Sequence, residues 1–600
     1  MHAAGQKILL ALALLALKPC ATIIGPEAFI VQDLQMTPFD RLNSAYLELI
    51  SHCPNACVEL GLNQQLDRLP IPSEADDAAL LTKASAVLAA ADACGDLSFD
   101  QAQDRQLMRM TAERTHFMHN LSKLGRRRDQ SLPRAGEQIS AGIFLLMSRD
   151  PRPNAERLDN ILNRLADVPA LLDATLTRLE RPIARWVSIE QETLEELPGL
   201  FSTIADWARS TGYARQDALA QHIGAANEAI QHYLRGLTAL PTEQDFTLGE
   251  ADARQLVALS GINLSLEAIH SHTRAFVQDT LSVLEQTRQR LAAKHSLDPD
   301  ISQDDLHQYL NREFAVSVPE GRLQSVIERY QQEAERILSF IDAQRLFEIP
   351  GDQAMTIMRT PEFMAPMIPA GAMMQPAALA AGTKVSQIYL TLSESLLDEH
   401  TELGIPVMMI HEGIPGHHLQ LATASGHDSL VRRVFPAMEL AEGWTTMLED
   451  YMLDLGYMGD LTDEARFIAK RDISRISARV AIDLYFMTGQ PHYLEIGYPV
   501  TTDSDDPFIN AGRLLKAVTG FTDGRVQAEL NWYSQEAGYP LSYLVGNVLM
   551  WQLKRDFKHD GTELERDRAF HREVLTSGNL PLAMVRARFA RRGLLQDNAS

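Results

Sequence analysis

The chain has 600 residues, of which 45% are apolar, so it is long enough to bury several hydrophobic cores. Its 79 acidic residues outnumber its 55 lysines and arginines, which gives a formal net charge of −24 at pH 7. A surface this acidic repels nucleic acid and anionic membranes, so both are excluded as expected partners.

The N-terminus has the pattern of an export signal. Lys7 precedes the apolar run 8–17, and a Lys-Pro-Cys sequence ending at Cys20 follows it. This apolar run is too short to cross a bilayer, which requires ~20 residues, so the sequence predicts a signal peptide over residues 1–21. The mature protein is then exported, periplasmic or secreted, with no integral membrane span. Cys20 is a candidate lipoprotein acceptor, and an uncleaved apolar helix is the alternative.

Residues 22–349 are predicted to form a helical N-terminal half. Segments such as 159–166 and 323–330 place apolar residues three and four positions apart, which is the spacing of an amphipathic helix. We therefore expect helices to dominate this half.

Three cysteines follow the leader, at Cys53, Cys57 and Cys94. In an exported protein, Cys94 could pair with either of the first two and leave one free thiol. The spacing of Cys53 and Cys57 lacks the two-residue gap and the second cysteine pair that structural zinc sites usually show. A structural role is therefore predicted, with the pairing left open.

Prolines and methionines interrupt the helical pattern over residues 350–383. They predict a loop that lines a cleft between the helical half and a catalytic C-terminal half, residues 350–600. Residues 384–392 then alternate polar and apolar side chains, which predicts a β-strand.

The segment 411–418 reads His-Glu-Gly-Ile-Pro-Gly-His-His and follows an apolar run. The zinc-binding pattern His-Glu-x-x-His places two imidazoles on one face of a helix, with the Glu beside the bound water. Here Pro415 occupies the fourth position after His411. On an unbroken helix His417 would point about 120° away from His411, whereas His418 would return to the same face two turns along.

The helix is predicted to break before His417, because Pro415 cannot donate a backbone hydrogen bond and glycines flank it. A break that absorbs two residues puts His417 where the second His of the zinc pattern belongs. We therefore expect His411 and His417 as metal ligands, His418 as the alternative ligand or an outer partner, and Glu412 as the general base.

A third ligand is expected on a following helix, as a carboxylate. Glu442 stands in an otherwise apolar helix start, 24 residues after His418. It is the predicted ligand, and an ordinary capping or surface carboxylate is the alternative. Glu449 lies two helical turns further along the same face, where it could orient a ligand histidine.

These residues resemble a known bacterial family. The segment 411–420, His-Glu-Gly-Ile-Pro-Gly-His-His-Leu-Gln, and Glu-Gly-Trp at 442–444 are similar to the domain of unknown function 885 family. That family is related in pattern to helical zinc peptidases of the thimet oligopeptidase and carboxypeptidase Taq types. Further similarities at 479–483, 538–546 and 570–582 bring the resemblance to roughly residues 383–590.

The chain departs from the family pattern outside the metal-binding residues. Met447 stands where the family usually has Tyr, 483–487 differs from an Asp-Thr-Gly-x-His segment, and Ala537 replaces the Pro of a Pro-Gly-Gln segment. These departures concern the outer pocket and its substrate contacts.

The helical periodicity and the single strand-like run predict a mainly α fold with a small antiparallel β-sheet. The resemblance implies a long zincin-like metallopeptidase architecture with this sheet beside the active-site cleft. It also implies that strand 384–392 binds extended peptide as an edge strand, with Tyr389 among the substrate contacts, and that Tyr543 donates to the oxyanion. Arg479 could clamp a substrate carboxylate or pair with Asp483.

The predicted function is zinc-dependent hydrolysis of peptide or peptide-like amide bonds with one Zn²⁺. A non-catalytic metal- or peptide-binding protein is an alternative, although binding alone does not require Glu412. A di-iron oxidase is another, because Glu113 and His116, like Glu267 and His270, form Glu-x-x-His patterns. Roughly one such short match is expected by chance in this composition, so the two carry little weight.

Overall fold

The computed structural model describes residues 36–123, 126–360, 371–392 and 400–596. The predicted signal peptide and Cys20 lie outside these ranges. The predicted mainly helical fold is confirmed. The helices before residue 350 are α1 (Pro38–Ile50), α2 (Pro54–Leu60), α3 (Glu74–Asp92), α4 (Phe99–Asn120), α5 (Ala135–Ser148), α6 (Asn154–Arg178), α7 (Ala184–Ser210), α8 (Gln216–Ala239), α9 (Glu250–Leu259), α10 (Leu266–Lys294), α11 (Gln303–Glu313) and α12 (Gln324–Gln344).

The C-terminal part continues as helices around the candidate site. They are α13 (Gly404–Glu412), α14 (His417–Ser425), α15 (Leu430–Val434), α16 (Met438–Asp454), α17 (Thr462–Thr488), α18 (Pro507–Thr519), α19 (Asp523–Gln535), α20 (Ser542–Asp556), α21 (Glu563–Leu575) and α22 (Leu582–Arg591). None of the described helices is long and apolar enough to cross a membrane.

Apolar spacing explains why these segments are helical. In α6, Leu158, Ile161 and Leu165 are buried on one face, three and four residues apart. Polar residues at the helix starts bind the free backbone N–H groups: the Thr37 side chain, for instance, accepts from the backbone of Asp40.

The buried apolar side chains of the described chain form three clusters. The largest cluster joins α1, α3 and α4 with the strand Lys384–Leu390 and α13 to α16. It therefore combines elements from both sides of residues 349 and 350. The domain boundary predicted between these residues does not separate two cores.

Three strands form a small sheet beside α14. They are β3 (Gln353–Arg359), β4 (Gly371–Met374) and β5 (Lys384–Leu390), in the order β3-β5-β4, and a separate two-stranded ladder joins β1 (Ser122–Lys123) to β2 (Arg126–Arg127). β5 pairs antiparallel with β4, where Gly371 lies opposite Leu390. It pairs parallel with β3, where Gln353 lies opposite Lys384.

The strand predicted at residues 384–392 is confirmed, and β4 supplies the expected antiparallel pairing. Two details of the prediction were wrong. β5 is the central strand, paired with β3 along its length and with β4 over 387–390, so it is not an edge to which a substrate strand could add. Residues 350–383 contain β3 and β4 as well as loop, because pairing with β5 stabilises segments with little strand character of their own.

Cys53, Cys57 and Cys94 are free thiols. Cys57 donates to the carbonyl oxygen of Ser51 at 3.2 Å, and Cys94 to that of Ala90 at 3.4 Å. Each of these two thiols is thus bonded near its own helix, and the disulfide considered between Cys94 and Cys53 or Cys57 is not formed.

Helices α16 and α20 cross at two glycines, which brings the loop before α20 toward Glu442. A Cβ atom on Gly443 would overlap the backbone of Gly546, and a Cβ on Gly546 would overlap the carbonyl oxygen of Glu439. The close approach of these helices therefore requires glycine on both sides.

Gly546→Ala is expected to destabilise the protein by about 1–3 kcal/mol or more, because backbone atoms cannot yield as a flexible side chain can. The midpoint of chemical denaturation measures this. Gly199→Ala in α7 is the matched control, since a Cβ there meets no atom within 4 Å and alanine is the better helix former. Equal midpoints for the two variants would contradict the close-contact explanation.

Candidate metal centre

A helix break places the second histidine of the motif. α13 ends at Glu412 and α14 begins at His417, which confirms the predicted break. A Cβ atom on Gly416 would overlap the carbonyl oxygens that end α13, so the turn requires glycine there. The indole N–H of Trp444 in α16 donates to the carbonyl oxygen of Pro415 at 2.9 Å and ties the turn to the next helix.

The structure brings His411, His417 and Glu442 together at this break. Oε2 of Glu442 lies 3.4 Å from Nε2 of His417 and 3.8 Å from Nε2 of His411. The two imidazole rings are 4.9 Å apart and nearly perpendicular. Among the described residues, these three form the group whose potential ligand atoms all lie within 4.8 Å of one another.

The donor set fits a zinc ion. Two imidazole nitrogens and one carboxylate oxygen are a known three-ligand zinc set that leaves a fourth position open, and its tetrahedral ligands stand about 3.3 Å apart. Glu442 is 3% exposed, and its Oε2 has no hydrogen-bond partner among the described residues. A buried carboxylate oxygen without a partner is costly, and a cation between the three side chains would compensate it.

Glu449 fixes the orientation of His411. The imidazole Nδ1–H donates to Oε1 of Glu449 at 2.6 Å, so Nε2 is the nitrogen that faces Glu442. Burial lowers the pKa of His411, but the bond to Glu449 and the charges of Glu412, Glu449 and Glu442 outweigh it and raise the pKa to about 9. The pocket therefore favours positive charge at this position.

Glu442 lies among positively charged and imidazole groups that favour its ionised form. Burial raises its pKa, but the facing imidazoles of His417 and His411 and the charge of Arg479 hold the pKa below its ordinary value. Glu442 is thus an ionised carboxylate in the pocket and suitable as a cation ligand.

His418 points away from this group. Its Nδ1 lies 2.7 Å from the Ser386 hydroxyl and its Nε2 contacts Oε1 of Gln353, so both ring nitrogens are engaged with the sheet. Burial lowers the pKa of His418 to about 4. Between the two candidate histidines, the structure therefore places His417 with the other ligands and gives His418 a role in holding β3 and β5.

Glu412 is the last residue of α13 and is half-buried. Its charge acts directly on the neighbouring His411, where it helps to raise the imidazole pKa. Glu412 is not one of the three residues whose potential ligand atoms converge.

Arg479 does not pair with Asp483. Its guanidinium donates to the Tyr533 hydroxyl at 3.0 Å and to Glu529 at 3.2 Å, and it lies 4.5 Å from the centre of the Tyr543 ring. The charge of Arg479 is thus paired to Glu529, and the clamp on a substrate carboxylate stays a prediction.

Tyr543 lies beside the group, and sequence reasoning missed its neighbour Tyr539. The Tyr539 hydroxyl donates to Oε1 of Glu442 at 3.4 Å, and the two tyrosine rings are 5.9 Å apart. Burial, together with the charge of Glu442, raises the pKa of Tyr543, so its phenol remains a neutral donor. In the sequence, only the four-residue spacing of the two tyrosines, within a segment that resembles the family, could have indicated that Tyr539 lies near the site.

Tyr389 is not brought to the group. It is 1% exposed, packs edge-on against Phe144 at 5.9 Å, and donates its hydroxyl to Gln387 at 3.3 Å. Its ring belongs to the core that it shares with α5 to α8, so substrate cannot reach it without displacing that packing.

The Glu-x-x-His patterns do not form a di-iron centre among the described residues. Glu113 on α4 pairs with Arg109, and Glu267 on α10 pairs with Arg254. Each carboxylate is thus neutralised by an arginine, and neither pattern joins the group around Glu442.

The sequence profile described as "Bacterial protein of unknown function (DUF885)" matches residues 54–589. The chain belongs to the DUF885 family. The match contains every residue of the candidate centre. No curated protein matches the chain.

Among the solved structures that the chain matches, two have a similar fold over nearly its whole length. One is "a putative lipoprotein of unknown function from Shewanella oneidensis", with a TM-score of 0.72 and 16% identity over 92% of this chain and 100% of the other. The second is "the putative lipoprotein from Colwellia psychrerythraea", with a TM-score of 0.73 and 16% identity over 93% and 99%. At such identity the likeness shows the fold alone.

Glu449→Ala is expected to lower the zinc affinity of this DUF885 protein about 10- to 100-fold, because His411 loses the partner that orients it. Competition with a chromophoric chelator measures this affinity. Asp450→Ala is the matched control, since the neighbouring Asp450 is bound to Lys470 at 2.6 Å rather than to a histidine. The same loss in both variants would argue against an orienting role for Glu449.

Proposed function

We propose that this protein is a zinc-dependent hydrolase of peptide or peptide-like amide bonds. His411, His417 and Glu442 hold one Zn²⁺, and Glu412 acts as the general base. The observation that carries the proposal is the convergence of two imidazoles on a buried carboxylate oxygen for which the described part of the chain provides no hydrogen-bond partner. The resemblance to zincin-type peptidases supports the same reading.

A bound zinc ion would act as a Lewis acid that activates water for attack on an amide carbonyl. The protein's own groups then supply the proton transfers. Glu412 takes the proton of the attacking water and passes it to the leaving amine. Tyr543, whose phenol stays protonated, donates to the oxyanion that develops on the substrate carbonyl.

Hydrolysis is favoured over metal binding alone because the motif supplies Glu412, a candidate base, as well as a ligand set. A protein that only binds a metal needs the two histidines, Glu442 and the orienting carboxylate of Glu449, but it does not require Glu412. Glu412 adds a negative charge next to His411, which is useful when a proton must be accepted.

The protein is further proposed to act outside the cytoplasm. The N-terminal segment reads as an export signal with Cys20 at its end, and the two structural neighbours are described as putative lipoproteins. An extracytoplasmic hydrolase would meet peptides from the cell envelope or the medium.

Elemental analysis and a peptide-library assay test the proposal together. The purified protein is expected to contain one equivalent of zinc and to cleave members of a mixed peptide library, as read by mass spectrometry. Removal of the metal with a chelator should abolish cleavage, and zinc should restore it. Stoichiometric zinc without cleavage of any peptide would support a binding protein instead, and two equivalents of iron would reject the zinc site.

A further inference from the structure

We infer that Tyr539 binds the outer oxygen of Glu442 and so keeps the other oxygen turned toward His411 and His417. The inference rests on the metal-binding part of the proposed function. It assigns to Tyr539 the role of a positioning residue, because the phenol acts on the metal site through Glu442.

The two oxygens of Glu442 have different surroundings. Oε2 faces the two imidazoles, at 3.4 Å from His417 and 3.8 Å from His411. Oε1 lies 3.4 Å from the Tyr539 hydroxyl. This separation is long for an O–H···O bond, and it keeps the hydroxyl within hydrogen-bond contact of Oε1.

The loop before α20 fixes the position of Tyr539. The backbone N–H groups of Gly538 and Leu541 donate to the two oxygens of Asp483, each at 3.0 Å. Gly538 has a φ of +81°, a conformation that glycine adopts without strain. A buried carboxylate thus holds the backbone on both sides of Tyr539.

Aromatic packing fixes the ring itself. Tyr539 lies between Trp532, at 5.2 Å, and Tyr543, at 5.9 Å, in edge-on contact with both. Burial raises the pKa of Tyr539 well above its ordinary value, so the phenol is a donor and not an anion beside Glu442. A donor at this place can hold one carboxylate oxygen while the other is used as a ligand.

Tyr539→Phe removes the hydroxyl and keeps the ring. The metal-free full-length variant is expected to bind Zn²⁺ about 10- to 100-fold more weakly than the wild type, by chelator competition. Loaded with Co²⁺, it should also show a weaker and shifted visible absorption, because the released second oxygen can join the metal. A purely structural loss would lower the thermal midpoint without changing the spectrum of the folded fraction.

Tyr533→Phe is the control, since the Tyr533 hydroxyl belongs to the same cluster but bonds to Arg479 and Glu529. It is expected to keep the wild-type affinity and spectrum. Tyr539→Phe behaving as wild type, or both variants losing the same affinity, would overturn the role of Tyr539 alone. A wild-type protein that binds neither Zn²⁺ nor Co²⁺ would overturn the proposed metal site itself.

Discussion

His411→Ala and Glu442→Ala are each expected to lower the zinc affinity more than about 100-fold, because loss of an outer partner alone typically costs 10- to 100-fold. His411 and Glu442 contribute two of the three converging ligand atoms. Two remaining ligands cannot hold zinc in a three-ligand site. Zinc content after dialysis against a mild chelator, compared at equal protein concentration, measures the effect.

Two further variants separate ligand loss from misfolding. Glu442→Gln keeps the volume and the contact with Tyr539 but removes the charge, and it should also lose zinc. His418→Gln changes an adjacent buried histidine whose nitrogens bind Ser386 and Gln353, and it should keep zinc. Retention of full metal by His411→Ala, or its loss from His418→Gln in a folded protein, would change the assigned ligand set.

Local sequence chemistry predicted the helix break well. Pro415 lacks a backbone donor, and Gly416 permits an approach that any Cβ would block. Both effects act within one turn of chain, so they can be read without knowledge of the rest of the fold. The choice between His417 and His418 depended on this break, which is why their placement followed from a local argument.

The helical relation between Glu442 and Glu449 was also local. Seven residues are two turns of α16, so both carboxylates face α13. The Nε2 atom of His411 lies near Glu442, and its Nδ1 atom is hydrogen-bonded to Glu449. One helix thus carries the candidate ligand and the group that orients another ligand.

Contacts between distant segments were not predictable in this way. β5 is central because β3, a segment distant in sequence, pairs with its second side. The strand propensity of β3 is low, so the sequence did not predict this pairing. Tyr539 reaches Glu442 from a loop that Asp483 holds. That loop precedes α20, which crosses α16 at Gly443 and Gly546. Such relations exist only once the helices are packed.

Glu412 differs from the three candidate ligands in what its loss should remove. It is half-buried at the end of α13, and its charge acts on His411, but it is outside the group of converging ligand atoms. A substitution that keeps its shape should therefore spare the metal site and affect only the step that requires a proton acceptor.

Glu412→Gln is expected to lower peptide hydrolysis about 10²- to 10⁴-fold while zinc stays bound, because the amide cannot take a proton from the attacking water. Cleavage of a mixed peptide library by the two proteins, at matched zinc occupancy, measures the change. Glu335→Gln, an exposed carboxylate on α12, should cleave at the wild-type rate. Equal cleavage by Glu412→Gln and the wild type would show that another group is the base. Loss of zinc from Glu412→Gln would instead place Glu412 among the ligands.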